Sequence, residues 1–349
     1  MWGYRPANRY SEYMSRVLVA MLAAGAAFAA APPITVQELV ARVQKGLAHE
    51  SDSRVARDIH KIRLSERLDE RVIEELESAG AGPKTVEELG QLRDESVALG
   101  AAPPPPEFPS PPRPSFADQT AVLNAAARYA FQYTDSLPDF LCDQTVRRYE
   151  RLNGQNGWDL KDTLTVKLSY FDHEENYKLA EINGRATNRS YDTVGGALSK
   201  GEFASLQLSI FDPEVGAHFR WDHWTTLRKR VTHVYSYIIE QGKSHYHLSS
   251  GFGFGPLEST LVGETGFVYI DRESGRVTRI IDDAVIPEDF PVRQADRVLD
   301  YDFTAIAGKP FLLPLHADIR MATAQIHTRN VVQFTGYRKF TGESTITFK

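Results

Sequence analysis

Apolar positions change their spacing along this chain, and the change divides it. From Thr35 to about Leu99 they recur at helical intervals. Leu39, Val40 and Val43 form one stripe, Ile59, Ile62, Leu64 and Leu68 a second, and Val72, Ile73 and Leu76 continue it. Gly80-Ala81-Gly82-Pro83 interrupts the pattern. Val86, Leu89, Leu92 and Val97 resume it over Thr85–Ala98, where Thr85 and Glu88 have the spacing of a capping box. A small all-α unit of about three or four short helices is predicted over residues 35–99. Residues 100–115 then carry prolines at 103–106, 109, 111, 112 and 114. Proline forbids helix and interior strand alike, so this stretch reads as an extended linker that holds the helical unit away from the remainder of the chain.

Asp118–Tyr133 is helical again, with Val122, Ala125, Ala126, Tyr129 and Tyr133 on its apolar side. Beyond Asp139 the period falls to two. Leu164, Val166, Leu168 and Tyr170 alternate with Thr163, Thr165 and Lys167; Leu299, Tyr301 and Phe303 with Asp300, Asp302 and Thr304. Phe311, Leu313, Leu315, Ile319 and Met321 alternate with His316, Asp318 and Arg320 in the same way. Each such strand is expected to turn one face to a core and the other to water. Asn183-Gly184, Gln241-Gly242 and Ala307-Gly308 have the chemistry of tight hairpin turns, and Asp271 to Gly275 that of a longer loop. Connections this short join antiparallel neighbours. Lys200–Phe211 reads as a short amphipathic helix between strands. The predicted fold class is α+β: a curved antiparallel sheet of about ten strands, a half-barrel with packing helices, over residues 116–349, preceded by the small all-α unit and the linker.

The N-terminus adds an address. Arg5, Arg9 and Arg16 precede an uncharged apolar run from Val17 to Ala31, and Ala27 and Ala29 supply a small-residue cleavage site. This is the layout of a signal peptide over residues 1–29, with Met14 as an alternative start. The run is shorter than the roughly 20 residues of a bilayer span, so after cleavage the protein is not expected to span a membrane. Export, to the periplasm or beyond, is the expected localisation.

Composition changes little in this picture. Of 349 residues, 42% are hydrophobic and 25% charged, ordinary values for a chain that buries a core. The formal net charge of −6 lacks the basic excess that neutralises phosphates, so nucleic acid is not an expected partner. Cys142 is the sole cysteine and has no intramolecular disulfide partner.

Candidate chemistry is sparse. Trp221-Asp222-His223-Trp224 is the densest aromatic cluster, and with Phe211, Tyr235 and Tyr237 it marks the candidate ligand-binding residues. The alternative is a packed corner of the sheet. His245 and His247 stand two apart, and His233 lies in the preceding strand-like run, which makes the three candidate zinc ligands without evident acidic or cysteine partners. His173-Glu174-Glu175 lacks the second histidine of a metalloprotease motif. Gly80-Ala81-Gly82-Pro83-Lys84-Thr85 looks like the hairpin of a DNA-binding helix pair, but Glu70, Glu74, Glu75, Glu77, Glu87 and Glu88 surround it. An acidic surround of this kind repels phosphate, and a helix stop followed by a capped helix explains the segment without a function. Gly251-Phe252-Gly253-Phe254-Gly255-Pro256 reads as a loop, without the strand and helix context of a nucleotide fingerprint. No G-x-S-x-G elbow is present, Cys142 has no adjacent base, and Asp282 and Asp283 point to opposite faces of a strand. Neither a cofactor nor a catalytic residue is predicted.

The order of elements over residues 118–349 resembles the lipoprotein-localisation (LolA/LolB) class of incomplete β-barrels. A long helix leads into an antiparallel meander with a short helix inserted midway. Phe267-Val268-Tyr269-Ile270-Asp271 before the Gly275 turn, Asn330-Val331-Val332-Gln333-Phe334 and Tyr337-Arg338-Lys339-Phe340 are the local stretches that carry it. The resemblance implies a concave apolar surface that carries an acyl chain or a lipoprotein. The function expected from sequence is therefore a non-enzymatic exported protein that binds a hydrophobic ligand or an envelope protein. An exported hydrolase with a site invisible in linear spacing and a structural envelope protein are the alternatives.

Overall fold

In a computed structural model the chain is described over residues 32–103, 111–155, 157–172, 174–194, 205–250 and 258–340. The predicted signal peptide, Pro104–Ser110 of the linker, His173, the first part of the mid-chain helix and the Gly251–Pro256 loop lie outside the described residues.

Four short helices come first: α1 (Val36–His49), α2 (Asp52–Ile59), α3 (Glu70–Ser78) and α4 (Pro83–Ser96). Thr35 and Glu38 form a reciprocal capping box at α1. The box expected at Thr85 and Glu88 does not form. Gly82 is the N-cap and Pro83 opens the helix, a position where proline's missing N–H is no loss. Asp52 of α2 takes over the cap, its carboxylate accepting from the amides of Lys84 and Thr85 at 3.0 and 2.9 Å. Glu88 instead meets His60 at 3.1 Å. The apolar stripes close on one another, with Leu39, Leu68, Leu76 and Leu89 at the centre of the cluster.

After α5 (Phe116–Ser136) come β1 (Phe140–Leu152), β2 (Asp159–Phe171), β3 (Glu174–Ile182), β4 (Arg185–Ala186), α6 (Ser205–Phe211), β5 (His218–Leu227) and β6 (Arg230–Ile239). The chain continues through β7 (His247–Ser249), β8 (Ser259–Leu261), β9 (Gly263–Asp271), β10 (Val277–Val285), β11 (Val292–Ile306), β12 (Lys309–Thr323) and β13 (Ile326–Lys339). Eleven of these strands form one open antiparallel sheet in the order β4-β3-β2-β1-β13-β12-β11-β10-β9-β6-β5, while β7 and β8 pair separately. The first strand pairs with the last, Phe140 opposite Lys339 and Leu152 opposite Ile326, so two meanders fan out from a central seam. The sheet is a half-barrel, not closed: β4 and β5 are its edges.

Turn chemistry places most of the hairpins. Asn183 and Gly184 (φ 51 and 70) and Ala307 and Gly308 (φ 50 and 80) adopt the paired left-handed backbone of a type I′ turn. Gln241-Gly242 does not close a hairpin, because β6 pairs with β5 and β9 and the chain leaves toward β7. Leu315 leaves the apolar register and is 37% exposed. The β11/β12 register shifts where Asp300 meets His316 and Tyr301 meets Pro314, which makes Leu315 the extra residue.

One face of the sheet carries α5, whose Ala126, Ala130 and Tyr133 pack with Val146, Val166, Leu168, Tyr235, Tyr301 and Phe334 in the main core. The opposite face departs from the sequence expectation. Where helices α3 and α4 lie, its charged residues do not meet water, Arg279 being 3% exposed and Arg329 1%, whereas the Lys167 side chain on β2 stays 42% exposed. Glu77 reaches Arg279 at 2.8 Å, Asp94 reaches Arg320 at 3.0 Å, Glu87 pairs with Arg147, and Glu74 accepts from the Tyr269 hydroxyl. The linker does not hold the helices away. It is tied at one end by the Arg67 amide to the Gly100 carbonyl (2.7 Å) and at the other by Trp224 Nε1 to the Pro112 carbonyl (3.1 Å). A buried carboxylate or guanidinium is stable only with a partner, and here the partners come from the helices and from the sheet itself, as Asp300 to Arg279 and Asp318 to Arg329, both at 2.7 Å.

Candidate functional site

The aromatic residues singled out in the sequence share the face that carries α5. On β5 and β6, Trp221 stands opposite Tyr235, Phe219 opposite Tyr237 and Trp224 opposite His233. The register shifts between Trp221 and His223, so Trp221 and Trp224, three apart, come to the same face; without that bulge the period of two would separate them. Their rings meet edge to face at 6.1 Å, and Trp224 lies 4.0 Å from His233. Phe211 on α6 stacks on Phe219 at 5.3 Å, and Phe219 leans on Tyr237 at 6.2 Å. Phe219 is therefore a member of the row that sequence reading missed, although its i, i+2 spacing to Trp221 is visible.

These residues differ in what they offer a ligand. Tyr235 and Tyr237 are fully buried, their hydroxyls donating to the Gln119 carbonyl at 3.3 Å and to Asp282 at 2.6 Å. Trp221 and Trp224 are half-buried and already contacted by the linker, Arg113 lying over the Trp221 ring at 5.4 Å.

Tyr237 leads into a polar cluster. Asp282 accepts from Arg297 Nε at 2.8 Å as well as from Tyr237, and Ser244 donates to Glu264 at 2.6 Å. Glu264 Oε2 has no hydrogen-bond partner among the described residues, its nearest cation being Arg297 at 3.7 Å. Burial, and then the charge of Asp282, push the Glu264 carboxyl above its usual range, and the same two causes push the Tyr237 hydroxyl well up. Residues 237, 264, 282 and 297 meet through strand pairing and Ser244 joins them from the segment between β6 and β7, which linear spacing cannot reveal. The available signal is that Asp282 and Arg297 occupy the apolar register of Ile280 and Leu299.

The three histidines are not gathered. His233 is buried in β6, and burial, then the nearby Arg272, push it down to about 4. His247 is exposed in the separate β7/β8 pair, and His245 is exposed ahead of it. Among the described residues no group of three or more His, Cys, Asp or Glu could hold a metal ion. The amides at the start of α4, which a DNA-binding hairpin would offer to phosphate, are occupied by Asp52. Cys142 is fully buried, and burial first of all pushes its thiol far up, which removes it as a nucleophile. No helix among the described residues is long and apolar enough to cross a membrane.

No protein-family model matches the chain, and no curated protein does. Solved structures do. The chain is similar to a LolA superfamily protein of Nitrosomonas europaea, at 11% identity over 66% of this chain and 97% of that one, with a TM-score of 0.32. It is also similar to a putative outer membrane lipoprotein-sorting protein domain of Vibrio parahaemolyticus, at 12% identity over 64% and 94% of the two chains, with a TM-score of 0.31. A DUF1329 family protein of Desulfovibrio piger aligns at 10% identity over 66% and 96%, with a TM-score of 0.30. Likeness at this level leaves the reading of the site to its own geometry.

Proposed function

We propose that this is an exported, non-enzymatic binding protein whose ligand is a hydrophobic molecule with a single long acyl chain, held against the face that carries α5. One observation carries the reading: that apolar face is wider than the helices on it. Eleven strands at roughly 4.8 Å spacing make a surface about 50 Å across, while a helix covers about 10 Å. Among the described residues α5, the seven-residue α6, Tyr191 and the β7/β8 pair pack there, and Val122, Leu123, Phe219, Trp221, Phe303 and Phe311 remain partly exposed around the core. An acyl chain laid along that rim gains about 0.8 kcal/mol for each methylene removed from water. Phe211, Trp221, Trp224, Tyr235 and Tyr237 are assigned to the aromatic end of this surface, the two tyrosines as its floor. Export rests on residues 1–29 and on nothing in the folded part.

The full-length protein purified from its own envelope, subjected to native mass spectrometry, is expected to carry a lipid-sized adduct and to start near Ala30. After delipidation it is expected to bind N-phenyl-1-naphthylamine, a neutral fluorophore, with Phe219→Asp weakening that binding at least about tenfold. A protein that carries no adduct and leaves the fluorophore dark would sink the proposal.

A further inference from the structure

Helix α6 is short, and its buried stripe contains a residue that does not belong in an apolar core. Leu206, Ile210 and Phe211 face the main core, and Gln207, three and four residues from the last two, shares their side of the helix. Its side chain is 0% exposed, and neither its amide oxygen nor its amide nitrogen has a hydrogen-bond partner among the described residues. A buried carboxamide with both ends unpaired is costly, and leucine or methionine would fill the same volume without that cost. The position of α6 is set by the ring contacts already described, from Phe211 through Phe219 to Tyr237, so Gln207 sits over the β5/β6 end of the apolar face. Glu264 on the adjoining β9, two residues from the Gly266 that pairs with Tyr237, is 1% exposed, and its Oε2 is likewise without a hydrogen-bond partner among the described residues.

We propose that Gln207 anchors the polar head of the acyl ligand, and that the head is a neutral carboxamide. The amide of Gln207 donates from Nε2 and accepts at Oε1, and a carboxamide presents the complementary acceptor and donor in one plane. A carboxylate head fits poorly, because it has no donor for Oε1. An ester head accepts but leaves Oε1 unpaired. The inference rests on the reading of the α5 face as a ligand surface, and the experiment separates the two.

The test is displacement of N-phenyl-1-naphthylamine from the delipidated full-length protein by oleamide, methyl oleate and oleate, which share one chain. In the wild type, oleamide is expected to compete about tenfold better than either of the others, the ratio one further buried hydrogen bond provides. In Gln207→Leu the three should fall within about twofold of one another. The ligand-free variant should also melt higher than the wild type, because an unpaired amide has been replaced by an apolar group. Gln207→Met, closer in shape, carries the same expectations if the leucine variant does not fold. Equal competition by the three lipids in the wild type, or a preference that survives both substitutions, overturns the role of Gln207 and leaves the apolar surface standing. A wild type that never binds the fluorophore overturns both.

Discussion

Asp318 sits between two guanidinium groups, Arg329 at 2.7 Å and Arg320 at 2.8 Å, on a face of the sheet that the helices cover. Removing one partner of a buried pair leaves the other charged and dry. Asp318→Asn is therefore expected to destabilise the protein by about 3–5 kcal/mol in urea unfolding, while a double replacement of Asp318 and Arg329 by leucine and methionine recovers much of the loss. A single-variant cost under about 1 kcal/mol would mean that water reaches these groups. Asp296 makes a second expectation at this scale. Burial pushes its carboxyl up to about 7, against an ordinary value near 4. Between those two values the folded chain holds a proton that the unfolded chain has lost, so this group's contribution to stability is whole below about pH 4 and falls as pH rises toward 7. Asp296→Asn should match the wild type at pH 4 and exceed it at pH 8, by on the order of 2 kcal/mol. Equal stability at both pH values would show that the carboxyl is not held protonated.

At the scale of elements, the join between α1–α4 and the sheet is mainly ionic. Its contacts are carboxylates of α3 and α4 on arginines and a tyrosine of β1, β9, β10 and β12, around a small apolar cluster of Leu227, Val234 and Tyr269. Charges uncovered by removing the helices would rehydrate, whereas an uncovered apolar face would aggregate. A chain starting at residue 111 is therefore expected to stay soluble, keep its β-type circular dichroism and melt at a lower temperature than the full chain. Insolubility would show that the helices and sheet are a single folding unit. The same logic explains why the charged register of β10–β12 suggested a wet face. Alternation says which side chains share a face, but water and a polar helical layer satisfy the same alternation.

At the scale of the molecule, the open sheet has a protected seam and two unequal edges. β1 and β13 pair along nearly their whole length in the middle of the order, whereas β4 is two residues long. Hydrogen exchange is expected to be slowest in β1, β12 and β13 and fastest in β4, with β5 slowed by the linker segment that Trp224 and Trp221 hold beside it. Uniform protection across the sheet would contradict this arrangement. From sequence alone the helical segments, the proline interruption, the two-residue period, the type I′ turns and the α+β class were all legible, because each depends on residues within a few positions of one another. Tertiary structure alone decided the pairing of the first strand with the last, the burial of the charged face, the meeting of Glu264 with Asp282 and Arg297, and the orphaned amide of Gln207. Those facts depend on partners tens to hundreds of residues away, and a partner at that distance leaves no periodic trace in the chain.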